Sequence, residues 1–121
     1  MTPKPGKSVR GSRSGRPIMA LLDLLGRRWA LRILWELRHG ARSFAELRAD
    51  CDAMSPSVLN QRLAELRDTG IVELRREGGY VMTAEGRRLF ACLEPLQRWA
   101  ERWARRGRVH GFKVQGSKFK V

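Results

Sequence analysis

Residues 43–82 read SFAELRADCDAMSPSVLNQRLAELRDTGIVELRREGGYVM, and this stretch spells out two helix starts and one tight turn. Ser43-Phe44-Ala45-Glu46 has the capping-box spacing, in which a Ser hydroxyl and a Glu carboxylate each accept from the other residue's backbone N–H. It predicts a short helix over Phe44–Cys51 with Phe44 and Leu47 inward. After Asp52-Ala53-Met54, Ser55-Pro56 gives a second start, with Ser as N-cap and Pro in the first turn. That helix is expected to reach Thr69 and stop at Gly70. Val58, Leu59, Leu63 and Leu66 fall on its inner face, and Ser57, Asn60, Gln61, Ala64 and Glu65 on its outer face. Ile71–Glu77 and Tyr80–Met82 are β-prone segments joined across Gly78-Gly79, a hairpin signal. Two short helices, a tight turn, a polar face on the second helix and an immediate hairpin give the order of a winged helix-turn-helix.

The flanks fit that frame. Pro17–Leu25 is an apolar run with Pro at a first helical position, ending before Gly26. Arg28–Arg38 carries Trp29, Leu31, Ile33, Leu34 and Leu37 near the helical period, with Trp35 alongside, and closes at His39-Gly40. Thr83 is placed to cap a long last helix reaching Arg106, with Pro95 expected to kink it. The fold class is therefore mainly α (α+β): a winged helix-turn-helix with a short hairpin wing and a long C-terminal dimerisation helix. Along that last helix, Leu89, Leu93, Leu96, Trp99 and Trp103 make more apolar surface than a small domain covers alone, which points to a two-fold homodimer.

The 121 residues hold 25 Lys and Arg against 12 Asp and Glu, a formal net charge of +13, and 42% are apolar, enough for one core. The excess charge is unevenly placed. Residues 1–16 carry five basic groups and residues 107–121 carry four, both without an acid, so the segment between has a net charge of only +4. The organisation read from this is a basic flexible N-terminal arm over 1–16, the winged helix-turn-helix domain over 17–106 and a basic C-terminal tail over 107–121. In the tail, Val109, Phe112, Val114, Phe119 and Val121 add some strand character. A strongly basic balance favours a polyanionic partner. The longest uncharged apolar stretch, Pro17–Leu22, ends at Asp23, too short for a bilayer span. No secretory signal pattern is read, and a cytoplasmic protein without membrane attachment is expected.

Double-stranded DNA suits the constellation. A helix fits the major groove, and a hairpin lies along the adjacent backbone or minor groove. Asn60 and Gln61 are amides able to pair two ways with adenine. Ser55 and Ser57 sit at a positive helix end suited to phosphate. Arg62 is expected at the backbone or a guanine edge, Arg75 and Arg76 are the wing cations, and Arg42 and Ser43 stand where the preceding helix would meet phosphate. Each of these alone is an ordinary cap or a solvated face; their order, spacing and charge together carry the reading.

At this point the chain resembles a known family. Leu22-Asp23-Leu24-Leu25-Gly26-Arg27-Arg28-Trp29, Leu31-Arg32-Ile33-Leu34-Trp35-Glu36-Leu37, Phe44-Ala45-Glu46-Leu47-Arg48, Ser55–Leu63, Leu66, Gly70-Ile71-Val72 and Thr83-Ala84-Glu85-Gly86-Arg87 are similar to the HxlR-type branch of the MarR-like winged-helix regulators. The resemblance implies a homodimeric transcriptional regulator; the leading reading of the chain is a sequence-specific one, a repressor before an activator. Its fourth helix would read the major groove, its hairpin would be the wing and its terminal helices would form the dimer interface. Members often carry a cysteine just before a Pro at the domain's N-terminal edge, which some use to sense oxidants or electrophiles. Arg16 stands there in this chain, before Pro17. The wing is also shorter than the family's usual Pro-containing hairpin.

Other classes have less support. Gly6-Lys7-Ser8 has the end of a phosphate-binding loop, but the Gly required five residues earlier falls at Met1 and no strand precedes it, so it reads as tail. His39, His110, Cys51 and Cys92 have neither triad nor metal-ligand spacing, so no enzyme, metal site or cofactor is expected. Cys92 reads as a buried helix residue. Cys51 lies in the turn before the reading helix, where oxidation would disturb docking, with only Arg48 near enough to lower its pKa. Trp29, Trp35, Trp99 and Trp103 read as core and interface packing, and no small-molecule effector is named by the sequence. Two alternatives remain: an architectural or RNA-binding protein that binds mainly through its tails, and a protein-interaction module on a winged-helix scaffold.

Overall fold

In the computed structural model, residues 2–9 and 15–110 are described, with side chains through Gly107. α1 (Pro17–Leu25) opens on Pro17, whose missing N–H and fixed φ suit a first turn, and ends at Gly26. α2 spans only Ala30–Glu36 rather than the expected Arg28–Arg38. Trp29 adopts a left-handed φ of 77°, so Arg27 and Arg28 form a turn before the helix instead of its first residues. At the other end Leu37 N–H is shared between the Ile33 and Leu34 carbonyls, a tightening that closes the last turn.

α3 (Phe44–Asp50) begins with the capping box in place: Glu46 N–H donates to Ser43 Oγ at 3.1 Å, and Ser43 N–H donates to the Glu46 carboxylate at 2.9 Å. Asp52 and Ala53, both left-handed, turn the chain, and Arg48 Nε pins the turn by donating to Met54 O at 2.8 Å. Ser55 then caps α4 (Pro56–Asp68).

β1 (Val72–Arg75) and β2 (Gly79–Met82) pair antiparallel with Val72 opposite Met82 and Arg75 opposite Gly79. The strand expected to reach Glu77 ends at Arg75, because Gly78 and Gly79 both take left-handed φ and the turn starts earlier. Arg42 and Tyr80 exchange both backbone hydrogen bonds, at 2.9 and 2.8 Å, which fastens the hairpin to the strand-like residue ahead of α3. The sequence gives no sign of that bridge, but it explains Gly79: a Cβ there would meet the Arg42 carbonyl.

α5 (Ala84–His110) is capped as expected, with Gly86 N–H donating to Thr83 Oγ1 at 3.0 Å. It continues through Gly107 to His110, four residues past the expected end and into the segment read as tail. The strand character expected at Phe112, Val114, Phe119 and Val121 lies outside the described residues. No helix among the described residues is long and apolar enough to cross a membrane.

The core is built by Ile33, Leu34 and Leu37 of α2 and its end, Leu47 of α3, Leu59, Leu63 and Leu66 of α4, and Val72 of β1, all fully buried. Leu89 and Phe90 of α5 pack on its edge, and beyond them α5 leaves the domain. The start of α5 approaches the strand closely: a Cβ on Gly86 would run into the Ile71 carbonyl oxygen, which is also the acceptor for Thr83 N–H at 3.0 Å. Gly86→Ala must therefore push α5 away from β1. The expected loss is about 1–3 kcal/mol, as for other overpacked sites, read as a lower urea midpoint with an unchanged m-value.

Candidate nucleic-acid interface

α4 presents two opposite faces. Leu59, Leu63 and Leu66 are buried in the common core cluster, while Ser57, Asn60, Gln61, Ala64 and Asp68 are exposed. With 3.6 residues per turn, Ser57, Gln61, Ala64 and Asp68 form one stripe and Asn60 stands beside it. Ser55 and Ser57 are exposed at the helix N-terminus with their hydroxyls 3.1 Å apart. The amides and hydroxyls picked out in the sequence are thus brought together on one solvent-facing surface.

What sets the rotation of that face is a charged cluster on the flank of α4. Glu65, expected outward, is only 5% exposed. Its carboxylate accepts from Arg27 of the α1–α2 turn and, at 3.0 Å, from Arg62. Arg27 also faces Asp23 at 3.6 Å. A carboxylate is tolerated at this depth because two guanidiniums neutralise it and bond both of its oxygens. Arg62, expected at phosphate or a guanine edge, is turned the same way: Nε donates to Arg28 O at 2.8 Å while Nη1 holds Glu65. Its position bordering the inner face decides this, since an Arg there reaches the neighbouring turn more easily than solvent.

Arg42 and Ser43 also have internal work. Arg42 forks onto Asp50 with both bonds at 3.0 Å and lies 3.4 Å from Glu46. The Asp50 hydrogen bonds push the Arg42 pKa further up. The Ser43 backbone N–H and then Arg42 hold the Glu46 carboxyl below its usual range. These two residues fix the start of α3. On the wing, Arg75 is exposed and pairs with Glu73 at 3.3 Å, and Arg76 is exposed in the turn.

Cys92, expected to be buried, is not. Cys92 is exposed on α5 because that stretch of the helix has already left the core. Cys51 is fully buried under the α3–α4 turn, and desolvation pushes its thiol up to about 11. Arg32, not Arg48, is the cation that acts on it, and Arg48 is engaged with Met54 O. A neutral, enclosed thiol is unreactive.

Of the residues read as a dimer face, Leu89 and Leu93 are half-buried, and Leu96, Trp99 and Trp103 are 60%, 53% and 51% exposed. The two indoles stack with centroids 5.8 Å apart. Ile18 and Leu22 of α1 are equally exposed and belong with this apolar set in character. Sequence reading missed them, although their four-residue spacing, set against buried Ala20 and Leu24, marks a second apolar face on α1.

A helix-turn-helix with an exposed polar reading face and a β-hairpin beside it defines a winged helix-turn-helix DNA-binding transcriptional regulator. The chain belongs to the HxlR-like helix-turn-helix family, which it matches over residues 24–108. It is 32% identical over 90 residues to the HTH-type transcriptional regulator YvaP of Bacillus subtilis, covering 68% of this chain and 82% of that one. Among solved structures, quinone-bound YodB from B. subtilis superposes with a TM-score of 0.66 at 32% identity, over 70% of this chain and 94% of that one. A MarR-family regulator from Enterococcus faecalis gives a TM-score of 0.67 at 28% identity, over 74% and 86%.

Arg62 is engaged inside the domain by Arg28 O and Glu65. Arg62→Ala leaves the buried Glu65 with one partner fewer, so stability is expected to fall by about 1–3 kcal/mol in urea titrations. Because the same bonds set the rotation of α4, the folded variant, measured well below its melting transition, is also expected to bind its preferred DNA more weakly, with binding to unrelated DNA nearly unchanged.

Proposed function

We propose that the chain is a homodimeric, sequence-specific repressor that reads the major groove with the N-terminal half of α4. The observation that supports this best is the joint exposure of Ser57, Asn60 and Gln61 on the face opposite Leu59, Leu63 and Leu66. Asn60 and Gln61 read base edges, and the hydroxyls and amides at Ser55 and Ser57 meet phosphate. Arg75 and Arg76 follow the backbone from the wing. Arg42 and Ser43 act indirectly by fixing α3. The basic groups of the two terminal segments add salt-dependent affinity without sequence preference.

The partner for Leu96, Trp99 and Trp103 is a second copy, which a two-fold axis would set so that two α4 helices stand about one DNA turn, roughly 34–36 Å, apart. Such a dimer represses by occupying its operator. It works in the cytoplasm, with no catalytic step and no cofactor.

Replacing Asn60 or Gln61 with Ala is expected to weaken binding to a site selected from random DNA by about 1–3 kcal/mol, with binding to unrelated DNA nearly unchanged. Fluorescence anisotropy on both duplexes at several salt concentrations measures this. Equal losses on both would mean that these amides are not base readers and would end the role given to α4.

Leu96→Glu is expected to give monomers in sedimentation at micromolar concentration. The circular dichroism spectrum should persist while affinity for the selected site collapses. A parent protein that sediments as a monomer would remove the dimer from this reading.

A further inference from the structure

A hollow of about 720 Å³ opens beside α4, between the N-terminal segment and the turn joining α1 to α2. Its walls carry Lys4 and Lys7 from the segment, Arg27 and Arg28 from the turn, and Gln61 and Arg62 from α4. The segment, expected as part of a flexible arm, has definite anchors here. Pro3 is buried, and Lys4 pairs at 3.2 Å with Asp68 on the exposed stripe of α4. Gly6, at φ 84°, donates its N–H to Gly15 O at 2.8 Å and turns the chain, bringing Lys7 and Ser8 into the wall.

The cations of the wall are not equivalent. Arg27 and Arg62 hold Glu65, and Lys4 holds Asp68. Lys7 and Arg28 have no carboxylate partner among the described residues. The Arg28 guanidinium carbon lies over the Trp29 ring, 5.6 Å from its centroid, and the residue is exposed. Asp23, the one carboxylate of the wall, faces Arg27. The wall therefore has positive charge and hydrogen-bond donors in excess, which is the complement of an oxyanion.

We propose that this hollow is a phosphate-binding site, in which Lys7 and Arg28 take the charged oxygens and the Gln61 amide and Ser8 hydroxyl act as neutral donors. Gly6-Lys7-Ser8 thus contributes to phosphate recognition without being a nucleotide loop. Because Gln61 belongs to both the wall and the reading face, occupancy of the hollow is coupled to DNA recognition. The phosphate is either a backbone group of DNA flanking α4 or one on a free phosphorylated molecule. The DNA arm of the test rests on the proposed role of α4; the phosphate arm does not.

The phosphate arm titrates inorganic phosphate into the ¹⁵N-labelled full chain, against chloride at matched ionic strength. The expected amide shifts centre on Lys7, Ser8, Arg28 and Gln61, and Lys7→Ala and Arg28→Gln each weaken binding by about tenfold. Lys7 is exposed and outside every helix, so its variant decides the matter even where the Arg28 variant is less stable. The DNA arm measures the slope of log affinity against log salt, which flattens by about 0.9 for each phosphate that the variant no longer neutralises. A flatter slope in both variants supports a DNA phosphate as the occupant. Phosphate-induced shifts that vanish in the variants while the slope stays unchanged support a free phosphorylated ligand. Shifts that survive both substitutions, or neither shifts nor a slope change, overturn the site. A parent chain with no preferred DNA sequence ends the role given to α4, and the phosphate titration then decides the hollow by itself.

Discussion

The Glu65 carboxylate, held below the surface between Arg27 and Arg62, ties the flank of α4 to the turn between α1 and α2. Burial of a carboxylate without a partner would cost several kcal/mol, so α4 is not free to rotate about its axis while the domain stays folded. The apolar residues Leu59, Leu63 and Leu66 fix which side of α4 faces inward only to within the width of an apolar stripe. The directional bonds to Glu65, with the Arg62 bond to Arg28 O, fix it more narrowly. Everything proposed for Ser57, Asn60 and Gln61 depends on that angle.

A second set of constraints joins the wing to the helices without using side-chain burial. The backbone exchange between Arg42 and Tyr80 makes the hairpin an extension of the residue that leads into α3. Gly79 and Gly86 stand where backbone approaches backbone, against the Arg42 and Ile71 carbonyls. The wing, the start of α3 and the start of α5 are therefore joined through main-chain hydrogen bonds. Arg75 and Arg76 stand on a platform set by main-chain hydrogen bonds, which substitutions in their own side chains leave intact.

α5 divides the molecule by function. Its first turns, with Leu89 and Phe90, complete the edge of the core. Past that point the same apolar periodicity continues, with Leu96, Trp99 and Trp103 exposed among the described residues and the two indoles stacked on each other. The exposure of Cys92 follows from the same departure. A helical repeat in a sequence marks a sticky face but does not say whether the face packs within the chain or against another copy.

Local chemistry determined the elements. The capping box at Ser43, the caps at Ser55 and Thr83, Pro17 and Pro56 in first turns, and Gly78-Gly79 between β-prone runs act over four or five residues, so the order of helices and hairpin and most of their ends were legible in the sequence. So was the polar face of α4, because helical period alone separates Asn60 and Gln61 from Leu59 and Leu63. What only the tertiary structure decided was the partner of each charged or borderline group. Glu65, Arg62 and Arg42 look like surface residues by type, and they are committed inside the domain because residues far away in the chain or across a turn, Arg27, the Arg28 carbonyl and Asp50, arrive with complementary bonds. Lys4 reaches Asp68 for the same reason. A charge at the border of an apolar stripe has water and several neighbours to choose from, and the choice is made only when the packed helices bring one of them within hydrogen-bonding distance.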